Sequence, residues 1–182
     1  APAPLETTEQ LASFEPMPES SQPEPNSVSA QTQYQTMDDY YNAVADRIAD
    51  REGRTVLLAA GNRGLLPVAV AVNVAIRLCR RGPVLLVDAE PGRNAVADVF
   101  DLNPRKAAGR PADTGIHGLR AWIPDKNATL TATSLLNALS DRGADDQVFI
   151  YAPALQTLWG WGRIEQAADL TITFQSGGAD DP

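Results

Sequence analysis

The sequence of 182 residues has one cysteine, Cys79, and one histidine, His117. A single cysteine excludes an intrachain disulfide and fits a reducing compartment. Neither residue has the His or Cys neighbours that a zinc site or a Cys–His nucleophile requires. The sequence therefore predicts no metal site, with Cys79 packed in an apolar helix and His117 on a surface loop.

Positive charge is scarce as well. Lys and Arg together number 15 against 23 Asp and Glu, which gives a formal net charge of −8. A nucleic-acid surface requires clustered Lys and Arg to contact phosphates, whereas here the basic residues are scattered apart from the pairs Arg80–Arg81 and Arg105–Lys106. The charge distribution therefore excludes a nucleic-acid partner.

Long hydrophobic runs are missing too. No segment approaches the roughly 20 apolar residues that span a bilayer, and the first residues, APAPLETTEQ, lack the basic and apolar regions of a secretory signal. These features predict a cytoplasmic domain with no direct membrane insertion. Tethering to the inner membrane through a partner or an upstream segment is compatible with them.

Residues 1–36 differ in composition from the rest of the chain. They contain six prolines, five glutamates and no Lys or Arg. Such a segment cannot bury enough apolar surface to offset the entropy lost on ordering, so we expect an extended tail or linker. One folded domain over 37–176 and a flexible terminus over 177–182 are expected to follow.

Within that domain, apolar runs alternate with helical periodicity. Continuous apolar runs are typical of strands buried on both faces, and Gly or Pro residues punctuate the helices. The patterns predict strands at 55–60, 83–89, 118–124, 147–152 and 169–174, helices at 38–52, 67–81, 94–101, 131–142 and 162–168, and a loop over 103–118.

This alternation predicts an α/β fold, a parallel sheet with helices on both faces. Ligands of such sheets bind beyond the carboxyl ends of the strands. The candidate loops are therefore 61–67, 88–93 and 151–161.

The segments VLLAAGNRGLLPVAVAVNVAIRLCRRG, PVLLVDAEPGRNAVADVFDL, DDQVFIYAPAL and EQAADLTITF together resemble the deviant P-loop ATPases. This family includes septum-site and partition ATPases and the bacterial tyrosine autokinases of capsule and exopolysaccharide export. The resemblance covers about residues 38–175 and is strongest to the autokinases. It implies a shortened P-loop NTPase-like sheet.

A phosphate loop requires the pattern GxxxxGK[ST], in which glycine permits close approach, Lys neutralises phosphate and the hydroxyl holds Mg²⁺. In the resemblance, Gly61 matches the first glycine. Leu66 occupies the position of the second glycine, and Pro67 and Val68 replace the Lys and Ser/Thr. We expect the bulk of Leu65 and Leu66 to occupy the phosphate position.

The remaining signature positions are also altered. Tyr151 stands where the family has an Asp that contacts Mg²⁺ through water, and a neutral phenol is a poor magnesium ligand. Asp88 matches a surviving acidic position. Asp88 and Glu90 either form a remnant of the site or, as the commoner case, are solvated carboxylates. The pattern predicts no cofactor and no catalysis.

Two further departures concern assembly. Ring-forming relatives have an ExxRxxR motif in the helix before the first strand, and here its positions are Asp39, Asn42 and Ala45. Ring assembly is therefore not expected. Aromatic and basic residues on the loops and first helix are candidate interface residues, with core packing or plain surface exposure as the alternative: Trp159, Trp161, Tyr40, Tyr41, Arg63 and Arg93.

The resemblance implies a pseudo-ATPase or pseudo-tyrosine-kinase that acts as a scaffold or regulator in bacterial exopolysaccharide synthesis or export. Its protein partner would be an export or synthesis component or an active kinase. Two alternatives remain open: a weak ATPase or kinase with relocated catalytic residues, and a partition or positioning adaptor.

Overall fold

The computed structural model describes residues 36–51, 53–90, 92–125, 130–140, 143, 146–158 and 160–174. The side chains of Arg63 and Ala138 also fall outside this description. The predictions for a tail over 1–36 and a terminus over 177–182 concern residues that, apart from Thr36, lie outside the described ranges.

The elements follow the predicted alternation of strands and helices. In chain order they are α1 (Met37–Ala49), β1 (Thr55–Ala60), α2 (Val68–Leu78), β2 (Val84–Asp88), α3 (Ala95–Val99), α4 (Pro104–Ala107), β3 (Pro111–Asp113), β4 (Leu119–Trp122), α5 (Ala132–Ser140), β5 (Gln147–Ala152), α6 (Trp161–Ala167) and β6 (Leu170–Phe174).

These strands form one six-stranded sheet in the order β3-β4-β2-β5-β1-β6. All neighbouring strands are parallel except β3 and β4, which pair antiparallel. β1 lies between β5 and β6, with Leu58 opposite both Tyr151 and Ile172. The predicted α/β fold is confirmed as a mostly parallel sheet with helices, although the antiparallel strand β3 was not expected. The carboxyl ends of β1, β2 and β5 meet at one edge.

Alternate side chains of the central strands enter two cores. In β1, Val56, Leu58 and Ala60 face the core formed with α1, α2 and α3. Leu57 and Ala59 face the second core, which α5 and α6 cover. Helices on both faces explain why each central strand is a continuous apolar run.

The predicted loop over 103–118 is wrong in part, because it contains α4 and β3. Asn103 caps α4 by accepting a hydrogen bond from the backbone N–H of Arg105 at 3.0 Å, and Pro104 occupies the first turn. β3 is a three-residue strand that, among the described strands, pairs only with β4. Its composition carries no strand signal, so the antiparallel pairing was not predictable from local pattern.

The first helix begins one residue before its predicted start. Thr36, rather than Asp38 or Asp39, is its N-cap, and its hydroxyl accepts a hydrogen bond from the Asp39 N–H at 3.2 Å. Asp38 and Asp39 lie in the first turn, where negative charge interacts favourably with the helix dipole.

Charged pairs attach α1 to α2. Arg77 of α2 forms an ion pair with Asp38, donates a hydrogen bond to Asn42 Oδ1 at 3.0 Å, and lies 5.2 Å from the centre of the Tyr41 ring. Just beyond the end of α2, Arg81 pairs with Asp46. α1 is therefore held in place by the apolar packing of its buried face and by the guanidiniums of Arg77 and Arg81.

Among the described residues, no helix combines the length and apolar character needed to cross a membrane.

Candidate functional site

The loop that follows β1 contains the residues aligned with the phosphate-binding pattern. Gly61 is exposed, and a Cβ there would contact only the side chain of Gln156, at 3.6 Å. Residues Arg63–Leu65 form a turn of 3-10 helix. The backbone N–H of Gly64 donates to Asn62 Oδ1 at 2.8 Å, and that of Leu65 donates to the Asn62 carbonyl at 3.0 Å.

Those internal hydrogen bonds affect what the loop can bind. A phosphate-binding loop presents consecutive free N–H groups to the ligand. Here Asn62 accepts from two of them through its side chain and its carbonyl. The loop satisfies these backbone donors by itself.

Leu66 has its side chain fully buried in the core rather than at the mouth of the loop. The expectation that Leu66 places its bulk at the phosphate position is therefore wrong. Burial of this apolar side chain in the core is more favourable in free energy than its exposure to water at the loop. Pro67 is the N-cap of α2 and supplies no side-chain cap, and Val68 begins the helix. Proline also removes one N–H from the helix start.

Tyr151, near the end of β5, reaches this loop. Its hydroxyl donates to the Leu66 carbonyl at 3.1 Å, and the residue is only 3% exposed. The parallel register places Tyr151 beside Leu58 of β1, so both residues face the same core. The phenol therefore joins the β5 strand to the β1–α2 loop through a buried hydrogen bond.

Asp88 ends β2 and is fully buried. Its Oδ1 accepts from the Glu90 N–H and its Oδ2 from the Val96 N–H, both at 3.0 Å. Burial raises the pKa of Asp88 to about 7, against the opposing effect of the two backbone donors. The solvated interpretation of Asp88 is wrong, because the β2–α3 connection folds over the carboxyl group.

Glu90 and Asn94 follow Asp88 in the sequence and are also buried, at 1% and 2% exposure. The solvated interpretation of Glu90 is likewise wrong. Sequence reasoning did not single out Asn94, whose Nδ2 has no hydrogen-bond partner within the described part of the chain. The indole N–H of Trp122, at the end of β4, likewise has no hydrogen-bond partner among the described residues. No local signal marks Asn94 as buried, whereas Trp122 lies in the apolar run that predicted β4.

The candidate interface residues that the structure describes lie on different elements. Trp161 begins α6 and is 38% exposed, which excludes core packing for this residue, and Arg93 is exposed on the β2–α3 loop. Trp159 and the side chain of Arg63 lie outside the described residues. Tyr41 is buried against α2 and is a packing residue, whereas Tyr40 is half-buried.

The positions of the ring-forming motif are engaged within the domain. Asp39 contacts the Thr36 cap, Asn42 accepts from Arg77, and Ala45 is buried at 3% exposure. None of the three presents a guanidinium to a neighbouring subunit.

The single histidine and cysteine occupy structural positions. His117 is exposed on its loop, as predicted. Cys79 follows α2, half-buried, and its thiol donates to the Ile76 carbonyl at 3.0 Å. Burial raises the pKa of this thiol. Within the described ranges, no three His, Cys, Asp or Glu side chains are grouped to hold a metal ion.

Comparison of the chain with protein-family models, with curated proteins and with solved structures finds no match.

Proposed function

We propose that this chain is a non-catalytic pseudo-ATPase or pseudo-tyrosine-kinase domain that acts as a scaffold or regulator. The β1–loop–α2 unit has the strand–loop–helix arrangement of a phosphate loop. At the positions where such a loop requires Lys and Ser/Thr, this one has Pro67 and Val68. Neither side chain can neutralise a phosphate or hold Mg²⁺.

The hydrogen bond from Tyr151 to the Leu66 carbonyl supports the proposal most directly. Tyr151, which the resemblance aligns with the magnesium-associated Asp, here fixes the loop to the sheet. Asn62 accepts two loop N–H groups of the kind that a phosphate-binding loop presents to its ligand.

The proposed process is bacterial exopolysaccharide synthesis or export, with the domain in the cytoplasm. Its support is the resemblance of the four quoted segments to the tyrosine autokinases. The partner is a component of the export or synthesis machinery or an active kinase. A binding role needs no phosphoryl transfer, so it is compatible with the altered loop.

Calorimetric titration with nucleotide tests the proposal. Neither Mg·ATP nor Mg·ADP is expected to give a binding isotherm at millimolar nucleotide, because no cation or hydroxyl faces the phosphates from Pro67 and Val68. Magnesium-dependent binding in the micromolar range would overturn the proposal. An active P-loop ATPase titrated under the same conditions is the positive control.

A second candidate is a weak ATPase or kinase that uses Asp88. The raised pKa of Asp88, about 7, favours it, because a general base is most effective when its pKa is near the working pH. Hydrolysis by the wild type and Asp88→Asn distinguishes the candidates, with the exposed Glu165→Gln as the control. Equal background rates remove the second candidate, whereas a rate lost only in Asp88→Asn establishes it.

A further inference from the structure

A groove of about 350 Å³ runs between α1 and β6, on the opposite side of α1 from its ion pairs with α2. Its volume lies near the lower end of the range for ligand pockets, about 300–1,000 Å³. The lining is apolar at one end and basic at the other: Tyr40, Val44, Arg47, Ile48, Arg51, Leu170, Thr171 and Ile172.

β6 is the last strand of the sheet and pairs only with β1 among the described strands. Leu170, Ile172 and Phe174 are half-buried and pack against the core under α1. An edge strand of this kind presents backbone N–H and C=O groups to which another extended segment can pair.

The charges of α1 are divided between its two sides. Asp38 lies within ion-pair distance of Arg77, and Asp46 and Asp50 within ion-pair distance of Arg81. Arg47 and Arg51 line the groove with exposed side chains, and neither guanidinium forms an ion pair or hydrogen bond with another residue that the structure describes. The groove therefore has two guanidiniums whose charge is not neutralised by α1's own carboxylates.

We propose that this groove binds an extended acidic segment of a partner protein, which adds a strand to the outer edge of β6. Arg47 lies in the last turn of α1, Arg51 follows the end of that helix, and both line the groove. Alternate residues of a strand point to the same face. Two acidic side chains at alternate positions of the added strand would therefore both face the basic end of the groove.

The apolar end of the groove indicates which further side chain the partner segment should have. Tyr40 and Val44 lie one to two turns before Arg47 on the same helix and line the same groove. An apolar side chain on the same face of the added strand, beyond the acidic pair, would contact Tyr40 and Val44. The recognised segment thus has two acidic residues and one apolar residue at alternate positions.

A second copy of this chain is a poorer occupant. A symmetric pairing of two β6 edges would use the same patch on both copies. Arg47 and Arg51 of each copy would then face their counterparts, and like charges at an interface weaken association. The docking surface is distinct from the β1–α2 loop, so it goes beyond the proposed function and does not depend on whether nucleotide binds.

Fluorescence anisotropy with labelled peptides tests the proposal on the full chain. The acidic probe has Glu, Glu and Val at successive alternate positions, one matched probe has Lys in place of both Glu residues, and another has Pro at its centre. The wild type is expected to bind the acidic probe, with affinity that falls as salt is added. The Pro probe should bind more weakly because it cannot donate a backbone hydrogen bond to the edge.

Substitution of the two arginines locates the binding. Arg47→Gln with Arg51→Gln should weaken binding by about three- to thirtyfold, because two exposed ion pairs are lost. Arg47→Glu with Arg51→Glu should reverse the preference toward the Lys probe. Both side chains are exposed, and circular dichroism checks the fold. Arg80→Gln with Arg105→Gln, equally exposed, is the matched control and should bind like the wild type.

Three results would overturn the proposal. The first is no binding of the acidic probe, or equal binding of the acidic and Lys probes, by the wild type. Unchanged affinity in the Arg47 and Arg51 variants is the second. The third is a wild-type dimer that sedimentation detects without peptide and that the Gln variant does not form. Such a result would show that a second copy of the chain occupies the groove.

Discussion

Tyr151 and Asp88 show how single side chains at the carboxyl edge of the sheet serve the fold. The phenol satisfies a loop carbonyl, and the carboxyl group satisfies two backbone N–H groups of the β2–α3 connection. Both residues are buried. Polar groups in such positions stabilise the fold only while their partners remain in place.

Asp88 should make stability depend on pH. The folded protein retains the proton up to a pKa of about 7, whereas the unfolded chain releases it near 3.8. Between these values the folded state binds more protons, so the contribution of Asp88 to stability falls as pH rises. From pH 5.5 to pH 8, we expect the wild type to lose about 2 kcal/mol more than Asp88→Asn.

Urea unfolding of both proteins at the two pH values measures this difference. Glu165→Gln removes an exposed carboxylate and should follow the wild type. If wild type and Asp88→Asn have parallel pH profiles, Asp88 is already ionised in the folded protein at pH 5.5.

Tyr151→Phe removes the hydroxyl that donates to the Leu66 carbonyl. The variant should be less stable by about 1–2 kcal/mol, because a buried carbonyl loses its partner. Chemical denaturation measures the change. Tyr41→Phe, also on the first core, is the control and should change stability less, since the Tyr41 contact with Arg77 is made through the ring. Equal effects would show that the Tyr151 hydrogen bond adds no stability.

The sequence predicted which residues occupy the site better than it predicted their environments. Gly61, Asp88 and Tyr151 lie on the loop and strand ends that the apolar runs indicated. The burial of Asp88 and the inward direction of Leu66 depend on chain segments folded over them. A local pattern of charge and hydrophobicity does not contain that information.

At the level of elements, the central strands and long helices were the most predictable. Gln147–Ala152 has the bounds expected from its apolar run, and α2 follows from helical spacing after Pro67. β3 was missed because Pro111–Asp113 has no apolar alternation and depends on β4 for its structure. The groove between α1 and β6 was missed because it joins elements far apart in the sequence.

The α1–α2 contact yields a prediction at this scale. Arg77→Ala should destabilise the protein by about 2–3 kcal/mol, because the largely buried guanidinium contacts Asp38, Asn42 and the Tyr41 ring together. Arg81→Ala should cost less than about 1 kcal/mol, because its ion pairs are exposed to solvent. Thermal and urea unfolding compare the two. A loss for Arg81→Ala as large as for Arg77→Ala would contradict this ranking.

For the whole molecule, the boundary near residue 36 remains a prediction from composition. A chain that begins at Tyr34 should unfold within about 0.5 kcal/mol of the full chain, because residues with six prolines and few large apolar side chains contribute little burial. Denaturant unfolding of both chains measures the difference. A larger loss would place part of the amino-terminal segment in the stable core.

The strand order has a consequence for synthesis on the ribosome. Both neighbours of β1, namely β5 and β6, come from residues 147–174, near the other end of the domain. A nascent chain therefore holds the apolar segment Thr55–Ala60 without sheet partners while nearly a hundred further residues are translated. Chaperones that bind exposed apolar segments would have that interval in which to engage it.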